Sequence, residues 1–148
     1  MICEIGSYFG ASTSFMAAAA SLKGGHIHAV DTWQNTAMTA DEPVQDTFEQ
    51  FFENTLIYRH FITAHRGQAA ALKDRIPAVD MLFIDGDHSY EGAKADLLDY
   101  TPKIKPGGVL AMHDFNVDTV NRALYDVLKP DQLIDLGMVH SLKMFRLK

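Results

Sequence analysis

Short apolar runs alternate with helical patterns along the chain. The runs at 1–5, 26–30, 60–64, 79–84 and 109–112 are too short for helices and are bounded by turn residues, so they predict five strands. Between them, 12–22 reads as a helix capped by Ser12 or Thr13 and ended by Gly24-Gly25. Residues 44–58 read as a helix with Phe48, Phe51, Phe52 and Leu56 on one side. Residues 68–75, 90–100 and 118–128 complete the helices. The polar stretch 32–43 carries no clear period and predicts a loop. Pro106-Gly107-Gly108 predicts a turn into the fifth strand. Two last strands, 133–136 and 139–147, are expected to turn at Gly137.

Strands that are apolar on both faces and separated by helices predict an α/β fold, a Rossmann-like doubly wound sheet. It should be mostly parallel, with a C-terminal antiparallel strand pair. In such sheets ligands bind beyond the carboxyl ends of the strands. The polar clusters fall on that one edge: 6–10, Asp31, Gly67, 85–88 and His113-Asp114. A set of unrelated solvated loops would account for each cluster, but not for their common location.

Length and charge narrow the classes. The 148 residues fit one domain over 1–148, with 47% hydrophobic and 22% charged residues, as in ordinary globular proteins. A net charge of -6 argues against a nucleic-acid partner. No apolar run approaches the roughly 18 residues of a membrane span, and the start lacks a basic signal-peptide region. A membrane partner is therefore not expected, and the cytoplasm is the expected compartment. The single cysteine, Cys3, excludes a disulfide within the chain and reads as core.

Candidate chemistry concentrates in two places. Gly6 and Gly10 follow the first strand and precede a helix, whose free N–H groups suit an anion or a nucleoside. Tyr8 stands where a dinucleotide fingerprint needs glycine, which argues against NAD. Asp31 ends the second strand and can accept both hydroxyls of a ribose. At the other place, strand 79–84 ends in Asp85, Gly86, Asp87 and His88, and strand 109–112 ends in His113 and Asp114. Neighbouring parallel strands lie about 4.8 Å apart, so Asp85 and Asp114 could converge on one cation. Side chains of successive strand residues point to opposite faces, so His113 and Asp114 can both ligate only if the strand has already ended. His88, with a resting pKa of about 6.5, suits a general base. Asp87 reads better as a helix cap than as a partner of His88.

Plainer readings exist for each position. The glycines serve any strand–helix turn, Asp31 caps a loop, and Asp85 and Asp114 are solvated acids. His88 bonds its helix neighbours, and the phenylalanines at helical spacing are core. His26, His28, His60, His65 and His140 show no metal spacing. Trp33 is equally placed for a ligand contact or for the core.

The run Glu4-Ile5-Gly6-Ser7-Tyr8-Phe9-Gly10-Ala11-Ser12 resembles the first motif of class I methyltransferases that use S-adenosylmethionine. The chain is most similar to the catechol O-methyltransferase-like group and to the metal-dependent sugar and macrolide O-methyltransferases (methyltransferase 24-like). The resemblance implies that Glu4 and Gly6 border the methionine end of S-adenosylmethionine, with Tyr8 and Ser12 in contact and Ser7 and Asp85 also at the cofactor. It implies that Asp31 holds the ribose. Where relatives carry Gly-x-Ser at the adenine, this chain has Gly67-Gln68-Ala69, so Gln68 takes the place of the serine. It further implies a divalent cation, Mg or Mn, on Asp85, Asp114 and the position held by His113, where relatives carry an acid; a nitrogen ligand tilts the preference from Mg toward Mn, Fe or Zn. His88 takes the position of the base. The expected reaction is methyl transfer to a hydroxyl of a small molecule. Relatives carry helices before the first strand, where this sequence begins; a compact version, a fragment and a subunit whose neighbour provides the cover all stay open as expectations, the last as a homo-oligomer. Two alternatives stay open: a binding or assembly module without transferase activity, and a metal-dependent hydrolase or hydroxylase.

Overall fold

The alternating pattern resolves, in a computed structural model describing residues 1–35 and 45–148, into one seven-stranded sheet with helices on both faces. In chain order the elements are β1 (Ile2–Ile5), α1 (Ala11–Ser21), β2 (Ile27–Asp31), α2 (Phe48–Thr55), β3 (Ile62–Arg66), α3 (Ala69–Leu72), β4 (Val79–Ile84), α4 (Tyr90–Tyr100), β5 (Ile104–Met112), α5 (Asp118–Val127), β6 (Leu133–Val139) and β7 (Leu142–Leu147). The strand order is β3-β2-β1-β4-β5-β7-β6. The first five strands are parallel, and β7 runs antiparallel to both β5 and β6. The predicted doubly wound sheet with its antiparallel end is therefore present.

Topology places the site. The chain builds outward from β1 to β3, then crosses back to lay β4 against the other side of β1. That reversal opens a crevice above the carboxyl ends of β1 and β4. Below it the sheet is dry. Cys3, Ile5, Leu82, Ile84, Leu110 and Met112 pack with Leu97 and Tyr100 of α4 and Leu124 of α5. Truncating one of these, Leu82 or Leu110, would cost about 2–5 kcal/mol. Ala29, Trp33 and Phe51 form a smaller cluster. Gly6 has φ 86, and a Cβ there would lie 2.0 Å from the Asp85 carbonyl oxygen. The loop after β1 and the loop after β4 can touch only because residue 6 has no side chain.

Several boundaries differ from the sequence reading. Helix α1 starts one residue earlier, with Gly10 (φ 83) at its N-cap position; Ser12 and Thr13 do not cap it. Helix α2 is only eight residues long and continues as a 3-10 turn, Leu56–Phe61. Phe51 is buried, whereas Phe52 (47% exposed) and Leu56 (55%) face solvent. Strand β3 starts two residues later than expected, because its register runs out to Asp31 paired with Arg66. Strand β5 spans Ile104–Met112 and takes the expected turn at Pro106-Gly107-Gly108 as a bulge: Ile104 pairs with Val79 and Val109 with Met81, and Gly107 has φ 75. The last hairpin turns at His140-Ser141, not at Gly137, which sits at a register shift inside β6. Most of the predicted loop over 32–43, and the first residue of the predicted helix at 44, lie outside the described residues. Among the described residues no helix is long and apolar enough to cross a membrane.

Candidate active site

A cavity of about 560 Å³ lies above the crevice and is lined from three sides. One side is the β1 and β2 ends, with Gly6, Tyr8 and Asp31. Another is the start of α3 and the facing turn of α4, with Gln68, Ala69, Ala95 and Asp96. The third is the acid–histidine cluster, Asp85, His88, His113 and Asp114.

Asp31 stitches two loops together. Its carboxylate accepts the backbone N–H of Tyr8 at 2.8 Å and that of Trp33 at 2.7 Å. The Trp33 indole N–H donates to the Tyr8 carbonyl at 2.9 Å. Trp33 itself is fully buried against Phe48 and Phe51 and belongs to the core, not to the cavity wall. Each carboxylate oxygen carries more than one lone pair, so Asp31 keeps acceptor capacity toward the cavity.

Glu4, Ser7 and Ser12 do not line the cavity. Glu4 is completely buried, and its carboxylate accepts the hydroxyls of Ser7 (2.8 Å), Ser12 and Thr13. Burial pushes its carboxyl up, and the three hydroxyl bonds oppose that rise. The result is a polar knot that ties the loop after β1 to the first turn of α1. Ser12 and Thr13 lie inside the first turn of α1, past the N-cap position at Gly10, and turn their hydroxyls to Glu4 as donors. Gly6, Tyr8, Asp31, Gln68 and Asp85 are the expected cofactor residues that do reach the cavity.

At the other end, β4 and β5 finish level, Ile84 opposite Met112, and the His113 N–H donates to the Ile84 carbonyl at 3.0 Å. The strand ends there. Asp114 adopts a left-handed backbone (φ 48), which swings its side chain to the same side as His113. Consecutive residues thus converge, which an unbroken strand would forbid. Donor atoms of Asp85, His113 and Asp114 all lie within 4.8 Å of one another. His113 Nδ1 is 3.1 Å from Asp85 Oδ1 and 3.2 Å from Asp114 Oδ2. His88 Nε2 is 3.3 Å from Asp114 Oδ2 and 3.6 Å from Asp85 Oδ1. Both nitrogens are buried, yet neither has a partner in hydrogen-bond geometry among the described residues. The contacts are electrostatic in kind. The neighbouring Asp85 carboxylate raises the His88 pKa, burial opposes it, and Asp114 adds to the rise.

Two residues that the sequence reading passed over complete the cluster. Ser141 Oγ, in the β6–β7 turn, is 3.2 Å from His113 Nε2. With a proton on Nε2 donated to Ser141, the lone pair of Nδ1 faces the two carboxylates. Thr119 Oγ1 donates to the His88 carbonyl at 2.6 Å and anchors the loop before α4. No local signal marks Ser141, because its role depends on a hairpin folding back over β5. The expected cap role of Asp87 passes to Ser89, whose hydroxyl accepts the Gly92 N–H at 3.1 Å. Asp87 instead accepts the Ser89 N–H at 2.8 Å, one turn of loop earlier.

The sequence model of the methyltransferase domain family matches residues 3–115. A curated relative, an uncharacterized protein named y4gI from Sinorhizobium fredii (strain NBRC 101917 / NGR234), is 32% identical over 124 residues. That match takes in 78% of this chain but only 13% of the relative. Among solved structures, NovP, described as an O-methyltransferase, superposes with a TM-score of 0.75 at 12% identity, over 99% of this chain and 71% of that one. An O-methyltransferase from Bacillus cereus in complex with SAH gives 0.73 at 18% identity, over 99% and 73%. CalS11, described as a TDP-rhamnose 3'-O-methyltransferase, gives 0.69 at 18% identity, over 98% and 71%. These likenesses show the fold, and the family match spans most of the chain: the protein belongs to the methyltransferase domain family.

Proposed function

We propose that this domain transfers the methyl group of S-adenosylmethionine to a hydroxyl of a small molecule, assisted by a divalent cation and a histidine base. The observation that carries the reading is the single cavity with Asp31 at one end and the Asp85–His88–His113–Asp114 cluster at the other. A long ligand with a ribose near Asp31 would place its far end beside that cluster.

The residues fit a cation. Two carboxylates and an imidazole present donor atoms within 4.8 Å, and the buried His113 Nδ1 lacks a hydrogen-bond partner. Asp85, His113 and Asp114 would hold the ion, Mg or Mn, which would bind the acceptor hydroxyl and lower its pKa. His88, whose Nε2 approaches Asp114 and Asp85, would take the hydroxyl proton. When bound, S-adenosylmethionine would supply the methyl group and keep the departing electron pair on its sulfur. The chain's main contribution is orientation: Asp31 and the Glu4 knot fix the donor loop, and the strand ends fix the acceptor.

A second reading rests on the same cluster. The contacts of His88 and His113 with Asp85 and Asp114 would hold the cluster together without a metal, in a domain that binds the cofactor but transfers nothing. Calorimetric titration with S-adenosylmethionine, with and without Mn, followed by assay on catechols, sugars and phenols, separates the two. The proposed reaction requires sub-millimolar cofactor affinity, turnover that needs the metal, and about a tenfold weaker cofactor affinity in Asp31→Ala. Binding without methyl transfer would favour the second reading, and no binding under any metal condition would end both.

A further inference from the structure

Helix α1 lines no part of the cavity, and it carries no charge: residues 5–22 include no acid, base or histidine. Its inner face is occupied, because Thr13 and Ala17 are buried and Thr13 donates to Glu4 of β1. With 3.6 residues per turn, the opposite face carries Ala11, Phe15, Ala18 and Leu22, a coiled-coil spacing of four, three and four. Phe15 is 81% exposed, and Leu22 at the helix end is 82% exposed. The 3-10 turn after α2 packs along this helix, and its Ile57 is 78% exposed. The two elements are tied where the Asn54 side chain donates to the Phe9 carbonyl at 2.9 Å. Leu22, Phe15 and Ile57 are the most exposed large apolar side chains among the described residues. Gathered on neighbouring elements, they mark a contact surface.

Charge and shape select a second copy of this chain as the occupant. The net charge of -6 makes two copies repel over most of their surfaces. A two-fold contact brings each residue close to its own kind, so an uncharged face is the one that can meet itself without repulsion. The stripe is also self-complementary. In an antiparallel pairing centred between residues 16 and 17, Phe15 falls opposite the partner's Ala18, and Leu22 opposite the partner's Ala11. Each large side chain then meets a small one, as interdigitated packing requires. The ends match in charge. Lys23, just past Leu22, would come to the far end of the facing helix, where the exposed Glu53 precedes Asn54; each Lys23 would thus approach the partner's Glu53. Covering these side chains on both copies removes on the order of 1,000 Å² in total, the low end of specific interfaces.

We infer that the outer face of α1, with Ile57 beside it, is a homodimer interface in which α1 packs antiparallel against its copy. The small area makes the dimer weak and concentration-dependent. No residue of α1 lines the cavity, so the contact leaves the cavity open, and the inference stands apart from the reaction proposed above.

Sedimentation velocity on the whole chain, from micromolar to millimolar concentration, tests this without cofactor or acceptor. The wild type should pass from the mass of one chain to that of two. Phe15→Glu should weaken association by about tenfold or more, with an unchanged melting curve because the side chain is exposed. Ile134→Lys, on the exposed side of the edge strand β6, should associate like the wild type. The register has its own test. Phe15→Lys and Ala18→Glu should each stay monomeric alone, whereas an equimolar mixture sets opposite charges across the two-fold and should associate. A wild type that stays monomeric at millimolar concentration would overturn the inference and leave the face to a different partner. A dimer that survives Phe15→Glu but is lost in Ile134→Lys would move the contact to the sheet edge and overturn it too. A mixture of the two folded variants that fails to associate would overturn the antiparallel pairing.

Discussion

The sheet carries two groups of histidines, and they differ in what surrounds them. His88 and His113 sit at the ends of β4 and β5 among carboxylates, and the pKa of His88 is raised by Asp85. His28 and His65 sit on β2 and β3, with Nδ1 of one 2.9 Å from Nε2 of the other. No carboxylate approaches that pair within ion-pair distance among the described residues. Burial first, then His65 and His26 beside it, holds His28 down to about 4, and burial also lowers His65. One imidazole nitrogen must donate and the other accept, so the pair is stable only while at least one ring is neutral. The same side chain thus stands among carboxylates at one place and beside another imidazole at the other. Neighbours decide, and neighbours come from topology.

Substitutions should separate the two groups, and the largest effect falls at the strand ends. His88→Ala should lower kcat by about 10²–10⁴-fold while leaving cofactor affinity nearly unchanged, as expected for loss of a base. Steady-state rates beside calorimetry check this, and parallel loss of rate and affinity would make His88 structural. His28→Gln should leave the rate untouched.

A smaller effect is expected one layer out. Ser141→Ala removes the partner of His113 Nε2, and metal affinity should fall about 10–100-fold. Ser141→Thr keeps the hydroxyl and should restore most of it. A similar loss in both variants would point to the hairpin turn instead of the hydrogen bond.

The smallest effect belongs to the other group and concerns acid stability. The folded pKa of His28 lies at about 4, below an unfolded value of about 6.5. The unfolded chain therefore binds more protons between those values. The stabilisation is complete above about 6.5 and is lost as the pH falls toward 4. Because the side chain is only partly buried, solvent screening limits the effect to the order of 1 kcal/mol. Urea unfolding between pH 4.5 and 7.5 should show a shallower slope in His28→Gln than in the wild type. Identical slopes would assign the acid sensitivity elsewhere.

The sequence reading located these clusters unevenly. Val79–Ile84 and Tyr90–Tyr100 were legible to the residue, because an apolar run ends abruptly in acid and a helix follows at once. Asp31, Asp85, His88 and Asp114 were legible as strand-end polar groups. That Glu4 turns inward to three hydroxyls was not, because adjacency of Ser7, Ser12 and Thr13 arises only when α1 packs back over β1. The convergence of His113 and Asp114 depends on one left-handed residue, which no pattern of hydrophobicity encodes. Helix α2 was misjudged because its phenylalanines have helical spacing, yet a 3-10 turn follows Thr55 and Leu56 faces solvent. Local pattern reports which elements form. It does not report how their ends are twisted into a site.

The most direct test of the strand-end cluster as a cation site is calorimetric titration of Mn into the wild type, Asp114→Asn and His28→Gln at neutral pH. One site per chain is predicted for the wild type and for His28→Gln, with that site lost in Asp114→Asn. Unchanged binding in Asp114→Asn, or no binding in the wild type, would contradict the account.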